Sequence, residues 1–255
     1  MLIRKLLLVV LSLPILLCVS CSENPKMKDV FYLNDETLSI GGQFDYILFD
    51  FNGELANDSS FSHGSALCRQ QQLQGTNVYY AVFPEANYAG LYDGELEIRL
   101  FQHQKYMPTD FEASAKPFVA FGQIKNQKFE SVCGGLQVLL KGHVTVTALR
   151  FADNDSLDRL WGNYVVRQAG TENQQLLALP SSEGNNEVWL DCPEGVTLSE
   201  DTAKAFTVML PAGALYRGFS MDVFCEDSLL YHAVAEKNFK IRRDTISRMR
   251  EIVIP

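Results

Sequence analysis

A two-residue alternation of apolar and polar side chains constrains this chain more than any other feature. In "ELEIRL", residues 95–100, Leu96, Ile98 and Leu100 alternate with Glu95, Glu97 and Arg99. Successive strand side chains point to opposite faces, so this order buries one face and leaves the other in water. Short runs rich in β-branched and aromatic residues recur along the chain, bounded by Gly, Asn, Asp and Pro, and helical periodicity is nearly absent. The runs cover residues 44–51, 77–83, 95–101, 116–122, 132–142, 143–151, 163–168, 175–180, 187–192, 205–211, 218–225, 231–241 and 249–254. That pattern predicts an all-β protein. About thirteen strands exceed one sandwich and suit two of seven. Asp93-Gly94 is a favoured tight-hairpin pair, and "SSEGNNE", residues 181–187, is a polar loop. "SALCRQQQLQG" fits either a short helix or a polar edge strand.

The N-terminus is of a different kind. Arg4 and Lys5 precede an apolar run over residues 6–17, broken only by Ser12 and Pro14. A basic start followed by a short apolar stretch is the layout of a secretory signal. A bilayer-spanning helix needs roughly 20 apolar residues, which this run does not reach. In "LLCVSCSENP", Val19 and the small Ser20 precede Cys21, the arrangement of a lipobox, whereas bulky Leu17 precedes Cys18. Residues 1–20 are therefore expected to be a lipoprotein signal, with Cys21 as the lipid attachment site. Two or more acyl chains give the durable anchoring that one chain does not.

Composition sets limits on function. The net charge of −9 includes Arg4 and Lys5, so their loss with the signal leaves −11. An acidic chain without a basic stripe argues against a nucleic-acid partner. The 47% hydrophobic content is that of a globular core. Four cysteines follow Cys21, namely Cys68, Cys133, Cys192 and Cys225, and none pairs with another in a CxxC spacing. Export permits oxidation. Yet Cys192 shares a strand face with Val188 and Leu190, and Cys225 with Phe219, Met221 and Val223, which reads as small buried hydrophobes in the thiol form.

No catalytic or metal constellation emerges. His63, His103, His143 and His232 are scattered, without metal-ligand spacing. "DNDSLD", residues 153–158, lacks the glycine and distal glutamate of an EF-hand, so a solvated turn is expected. "GFSMD" is not a GxSxG elbow. Trp161 and Trp189 are candidates for stacking on sugars, and Trp189 alternates away from Val188 and Leu190, as a half-buried sandwich tryptophan also does. No catalytic residue, cofactor or metal ligand is therefore assigned.

The stretch over residues 78–122 resembles the N-terminal half of the fimbrillin-like lipoproteins of Bacteroidales. The resemblance rests on "YYAVFP" (79–84), "QKY" (104–106), Phe111, "KPFVA" (116–120) and "VCGGL" (132–136). "RLWGNYVV", "FTVMLPAGALYRGFSMDVFCED" and "FKIRRDTISRM" are similar to patterns of that family's C-terminal half. "MKDVFYLNDETLSIGG" matches poorly. The resemblance implies two tandem transthyretin-like seven-stranded β-sandwich domains, one over residues 41–131 and one over 132–255. Residues 21–40 would form a tether or a first strand. It further implies a non-catalytic lipoprotein of the outer membrane surface, acting in adhesion or pilus assembly by β-strand addition. The expected partners are the membrane, other fimbrial subunits and host or microbial surface ligands. A stand-alone carbohydrate-binding lipoprotein is the alternative. Shaft subunits of the family need a cleavable arginine near the N-terminus. Here residues 21–60 contain none, and the first arginine after the signal is Arg69. An anchor or tip role is therefore expected over a shaft role, with "MREIVIP" as the segment most able to be donated.

Overall fold

The computed structural model describes residues 29–33, 47–49, 67–73, 76–92, 95–109, 111–122, 128–169, 175–182 and 184–255. Cys21 and the signal lie outside the described residues, as does His63. The strands, in chain order, are β1 (Asp29–Leu33), β2 (Ile47–Phe49), β3 (Leu67–Leu73), β4 (Thr76–Phe83), β5 (Tyr88–Tyr92), β6 (Glu95–Leu100) and β7 (His103–Lys105). Next come β8 (Phe118–Gly122), β9 (Lys128–Ser131), β10 (Cys133–Lys141), β11 (Thr145–Asp153), β12 (Gly162–Ala169), β13 (Gln175–Ser182) and β14 (Glu187–Thr197). The last are β15 (Lys204–Pro211), β16 (Gly213–Leu215), β17 (Phe219–Cys225), β18 (Ser228–Ala235), β19 (Phe239–Ile241) and β20 (Ile246–Val253). Two single-turn 3-10 segments, Glu85–Asn87 and Ala113–Ala115, are the only helical pieces among the described residues.

The fold is all-β, as the alternation predicts. A six-stranded sheet, β2-β1-β9-β8-β4-β3, faces a four-stranded sheet, β13-β12-β6-β5. Between them Tyr80, Val82 and Val119 meet Leu96, Ile98, Leu100, Tyr164 and Val166. A five-stranded sheet, β18-β17-β11-β14-β7, faces the three-stranded β15-β10-β20, with the ribbon β16-β19 beside them. Here Leu136, Val138, Leu140, Phe206, Val208 and Leu210 pack on Leu149, Phe151, Val188, Leu190, Met221 and Val223. Burying such a side chain contributes about 1.5–3 kcal/mol before the entropy of ordering it. The alternation in β6 is met, with Leu96, Ile98 and Leu100 inside and Arg99 outside.

Chain order and sandwich membership separate around Ser131. β9 ends there in the first sandwich and β10 begins at Cys133 in the second. The chain then crosses back. The β12–β13 hairpin joins β6, with Tyr164 opposite Ile98 and Val166 opposite Leu96. In the other direction, β7 leaves its neighbours and runs parallel to β14, with His103 opposite Trp189. Ser131 itself is fully buried, and its hydroxyl accepts from Cys133 N–H at 3.0 Å, so the crossing point is packed structure and not an exposed linker.

Local expectations divide in the same way. "LCRQQQL" is an edge strand, β3, and not a helix. The run 231–241, read from sequence as one strand, is two, because Glu236, Lys237 and Asn238 turn between β18 and β19. The C-terminal "MREIVIP" is not loose. It lies in β20, parallel to β10, and Ile254 beyond it is 2% exposed, with its N–H donating to Lys141 O at 2.8 Å.

Candidate functional site

The second sandwich has one side where two sheet edges meet without a backbone ladder. Among the described residues β15 pairs only with β10, so its other edge meets no strand of the described residues, and β7 is the outer strand of the facing sheet. In "KAFTVMLP" the residues Phe206, Val208 and Leu210 point into the core. Met209 lies on the opposite face, in the other apolar cluster, which also holds Cys133. Its main-chain groups are met by one side chain. Gln104 Oε1 accepts from Met209 N–H at 2.9 Å, and Gln104 Nε2 donates to Met209 O at 2.7 Å. Gln104 is 5% exposed, so its amide stands in for a missing strand at one residue of the edge.

That pair of bonds fixes the orientation of the edge. Since Met209 N–H and C=O point away from β10, the antiparallel pleat turns those of Thr207 and Ala205 the same way. Neither has a backbone partner there among the described residues. Thr207 is held instead through its side chain, whose Oγ1 accepts from Gln137 Nε2 at 3.0 Å. The free edge from Lys204 to Val208 thus offers unpaired backbone groups, the usual template for an added strand.

A cleft of about 450 Å³ opens beside this edge, lined by Lys105, Tyr106, Pro108, Glu194, Val196 and Lys204 among others. Tyr106 forms its inner wall, with its ring 4.9 Å from that of Phe206. A bulge in β14 forms the opposite wall. Val146 faces Val196 while Ala148 faces Asp191, so Thr147 alone stands against residues 192–195. Gly195 makes this possible with φ +69, where a Cβ would also come 2.8 Å from Thr145 Cγ2. The lining includes Lys105, Lys204 and Glu194 as well as Tyr106, so charged and aromatic groups share the cleft.

The outer face of the five-stranded sheet carries a second arrangement. His232, Asp222, Arg150, Trp189 and His103 lie in one row across neighbouring strands. Asp222 is 3% exposed. It accepts from Arg150 Nε at 2.9 Å and Nη2 at 2.5 Å, and its other oxygen lies 2.5 Å from His232 Nδ1. Arg150 also lies over the Trp189 ring at 5.7 Å, while His103 stacks from the β7 side at 6.2 Å. Trp189 is therefore held among the protein's own side chains, with Phe224 also 5.3 Å from it. It is half-buried and turned away from Val188 and Leu190, as its position in the alternation predicts.

The remaining candidates fall elsewhere. Trp161 donates from Nε1 to Asn185 Oδ1 at 2.7 Å, which fixes it against the loop after β13. His143 pairs with Glu200 at 2.6 Å and His103 with Asp191 at 2.8 Å. Among the described residues, no group of three or more His, Cys, Asp or Glu side chains is placed to hold a metal ion. Cys133, Cys192 and Cys225 are free thiols, the first two buried and pushed up to about 12 by burial. Asp153, in the turn "DNDSLD", is 2% exposed and accepts from Asp155 N–H at 2.8 Å. Its carboxyl is pushed up to about 6, first by burial and then by the neighbouring Asp158 and Asp155. Sequence reasoning noted Gln104 as part of a motif but gave it no role, because its partner lies 105 residues away.

No protein-family model matches the chain, and no curated protein does. Among solved structures it is similar to one from Bacteroides ovatus described as a "putative cell adhesion protein". The two are 10% identical over 89% of this chain and 82% of that one, with a TM-score of 0.44. A structure with the same description from Bacteroides uniformis is 10% identical over 83% of this chain and 73% of that one, with a TM-score of 0.41.

Proposed function

We propose that this chain is a non-catalytic cell-surface adhesion protein of the fimbrillin-like kind, held to the outer membrane by lipid on Cys21. It occupies an anchor or tip position and joins a neighbouring subunit by accepting a strand. The observation that carries this reading is the free edge of β15 beside an open cleft, with Ala205 and Thr207 presenting unpaired backbone groups. An extended segment of another subunit would pair with that edge and place alternate side chains against Tyr106 and Val196. Two features support acceptance over donation. The C-terminal strand β20 is already used inside its own sandwich. Arg69, the first arginine after the signal, lies within β3 opposite Tyr80, so cleavage there would cut a paired strand. Trp189, the candidate for stacking on sugars, instead packs with Arg150, His103 and Phe224 of the protein itself.

The test uses native cells carrying a photoreactive amino acid in place of Lys204. Irradiation should yield an adduct joining this chain to the terminal segment of a second fimbrial-type subunit. A chain that stays monomeric after irradiation, in cells that assemble filaments, would refute strand acceptance at this edge.

A further inference from the structure

Lys116 is the most deeply buried charged side chain among the described residues, with its side chain 0% exposed. It follows the turn Ala113–Ala115, and its amine lies over the rings of Phe118 at 5.0 Å and Phe111 at 5.7 Å. The amine faces one group of opposite charge, Asp244, whose Oδ1 is 3.0 Å from Lys116 Nζ. The approach lacks hydrogen-bond angles, so both atoms remain buried without a hydrogen bond although they are in contact range. Asp244 is held from behind. Its backbone sits at φ 54, which few residues other than glycine adopt, and its N–H donates to Cys133 O at 3.0 Å. Arg243, beside it, donates to Glu130 at 3.1 Å, so the turn is clamped on both sides.

We propose that Lys116 and Asp244 are joined by an amide bond formed within the folded chain. The step needs the amine without its third proton and the carboxyl with one, and a single proton passed from Nζ to Oδ1 across their 3.0 Å contact supplies both. Burial raises the affinity of Asp244 for that proton, against the opposing field of Lys116. The amine lone pair of Nζ then attacks Cγ of Asp244. The Nζ–Cγ bond forms, the Cγ–O bond of the hydroxyl breaks, and the departing hydroxide takes one amine proton to leave as water. The sum is amine plus acid giving amide plus water, without oxidant or cofactor. The 3.0 Å contact between Nζ and Oδ1 holds the amine beside the carboxyl group whose carbon it attacks, so the two reactants are already brought together by the fold. The bond would tie the segment ahead of β8 to the turn ahead of β20, and so link the two sandwiches covalently. For a protein that bears load at a surface, this resists separation of the sandwiches.

The full chain, purified from expressing cells, is denatured and digested with trypsin, which does not cut at Lys116 because Pro117 follows. Residues 106–125 and residues 244–248 should be recovered mainly as one joined species, lighter than their sum by the mass of one water. In Lys116→Met and Asp244→Ala the peptides should be separate and unmodified, whether or not those variants fold well. Separate, unmodified peptides as the main species from the wild type would overturn the proposal and leave an ordinary buried ion pair.

Discussion

Replacing Gln104 tests whether a side-chain amide closes the seam between β7 and β15. In Gln104→Ala the two bonds to Met209 are lost, each with a net value of about 0.5–1.5 kcal/mol. The larger cost is the pair of backbone groups left behind. Met209 is 2% exposed, and an unsatisfied buried N–H or C=O costs about 1–3 kcal/mol. Water entering from the adjoining cleft offsets part of that, so a loss of about 3 kcal/mol is expected. With a urea slope of about 3 kcal/mol per molar, the unfolding midpoint should fall by about 1 M with the slope unchanged.

Gln104→Glu sharpens the test because it can be switched. As a carboxylate it can accept from Met209 N–H but faces Met209 O without a proton to donate. As a neutral acid it restores both bonds. Its folded pKa should therefore be raised above the usual value of about 4.3. The sign follows from linkage. A carboxyl with a raised folded pKa contributes stability below its unfolded pKa and loses it as pH rises through the folded value. Gln104→Glu should approach the wild type near pH 4–5 and fall towards Gln104→Ala or below it at pH 8. If Gln104→Ala costs less than about 1 kcal/mol, within the range of an ordinary surface change, and Gln104→Glu shows no pH dependence of its own, the seam is held by something else.

Three further outcomes follow from single groups. Asp153, raised from 3.8 to about 6, should make the native state gain stability on acidification from pH 7 to 5, since the folded form binds the proton more tightly. Asp153→Asn keeps an acceptor for Asp155 N–H and should add about 1 kcal/mol at pH 7, roughly a third of the full value of the shift, while flattening that part of the stability profile. Cys133 and Cys192, with thiols near 12, should resist iodoacetamide at pH 8 in the native protein. In denaturant without reductant, all of Cys68, Cys133, Cys192 and Cys225 should react, and a count of zero would mean two disulfides. Fatty-acid labelling of the whole cell should mark the wild type and Cys18→Ala but not Cys21→Ala; label retained by Cys21→Ala would move the anchor elsewhere.

Strand faces were legible in the sequence, and strand neighbours were not. Leu96, Ile98 and Leu100 face the core as their alternation requires, and Trp189 turns outward from Val188 and Leu190. Period two reports which face is buried. It is silent on which sheet supplies the opposite layer, so the return of β12 and β13 to β6 could not be read from "NYVVRQ" and "QLLALP". Strands of three residues, such as β7 and β16, carry too few positions to show a period at all. The polar contacts were hidden for another reason. Gln104 with Met209, and Arg150 with Asp222, are 105 and 72 residues apart, and nothing in the composition of either segment announces the other. Lys116 opens the run "KPFVA" in the sequence, and nothing in that run shows that Phe111, Phe118 and Asp244 gather around its amine.

The difference between accepting and donating a strand can be argued from the edges themselves. Withdrawing β20 would break a parallel ladder from Gly135 to Lys141 and bring the 2%-exposed Ile254 into water. Half-buried Ile246, Met249 and Ile252 would follow it. At about 1.5–3 kcal/mol for a fully buried aliphatic side chain and about 1 kcal/mol for each hydrogen bond, that withdrawal costs more than most domains of this size can spare. An incoming strand at β15 displaces no ladder. It meets the unpaired groups of Ala205 and Thr207, and it stops at Met209, where Gln104 already occupies the edge. The addition is thus stopped at one end and continues towards Lys204, which lines the cleft. On the function proposed above, a chain that can receive a strand but cannot readily give one would suit the end of a row of subunits better than its middle.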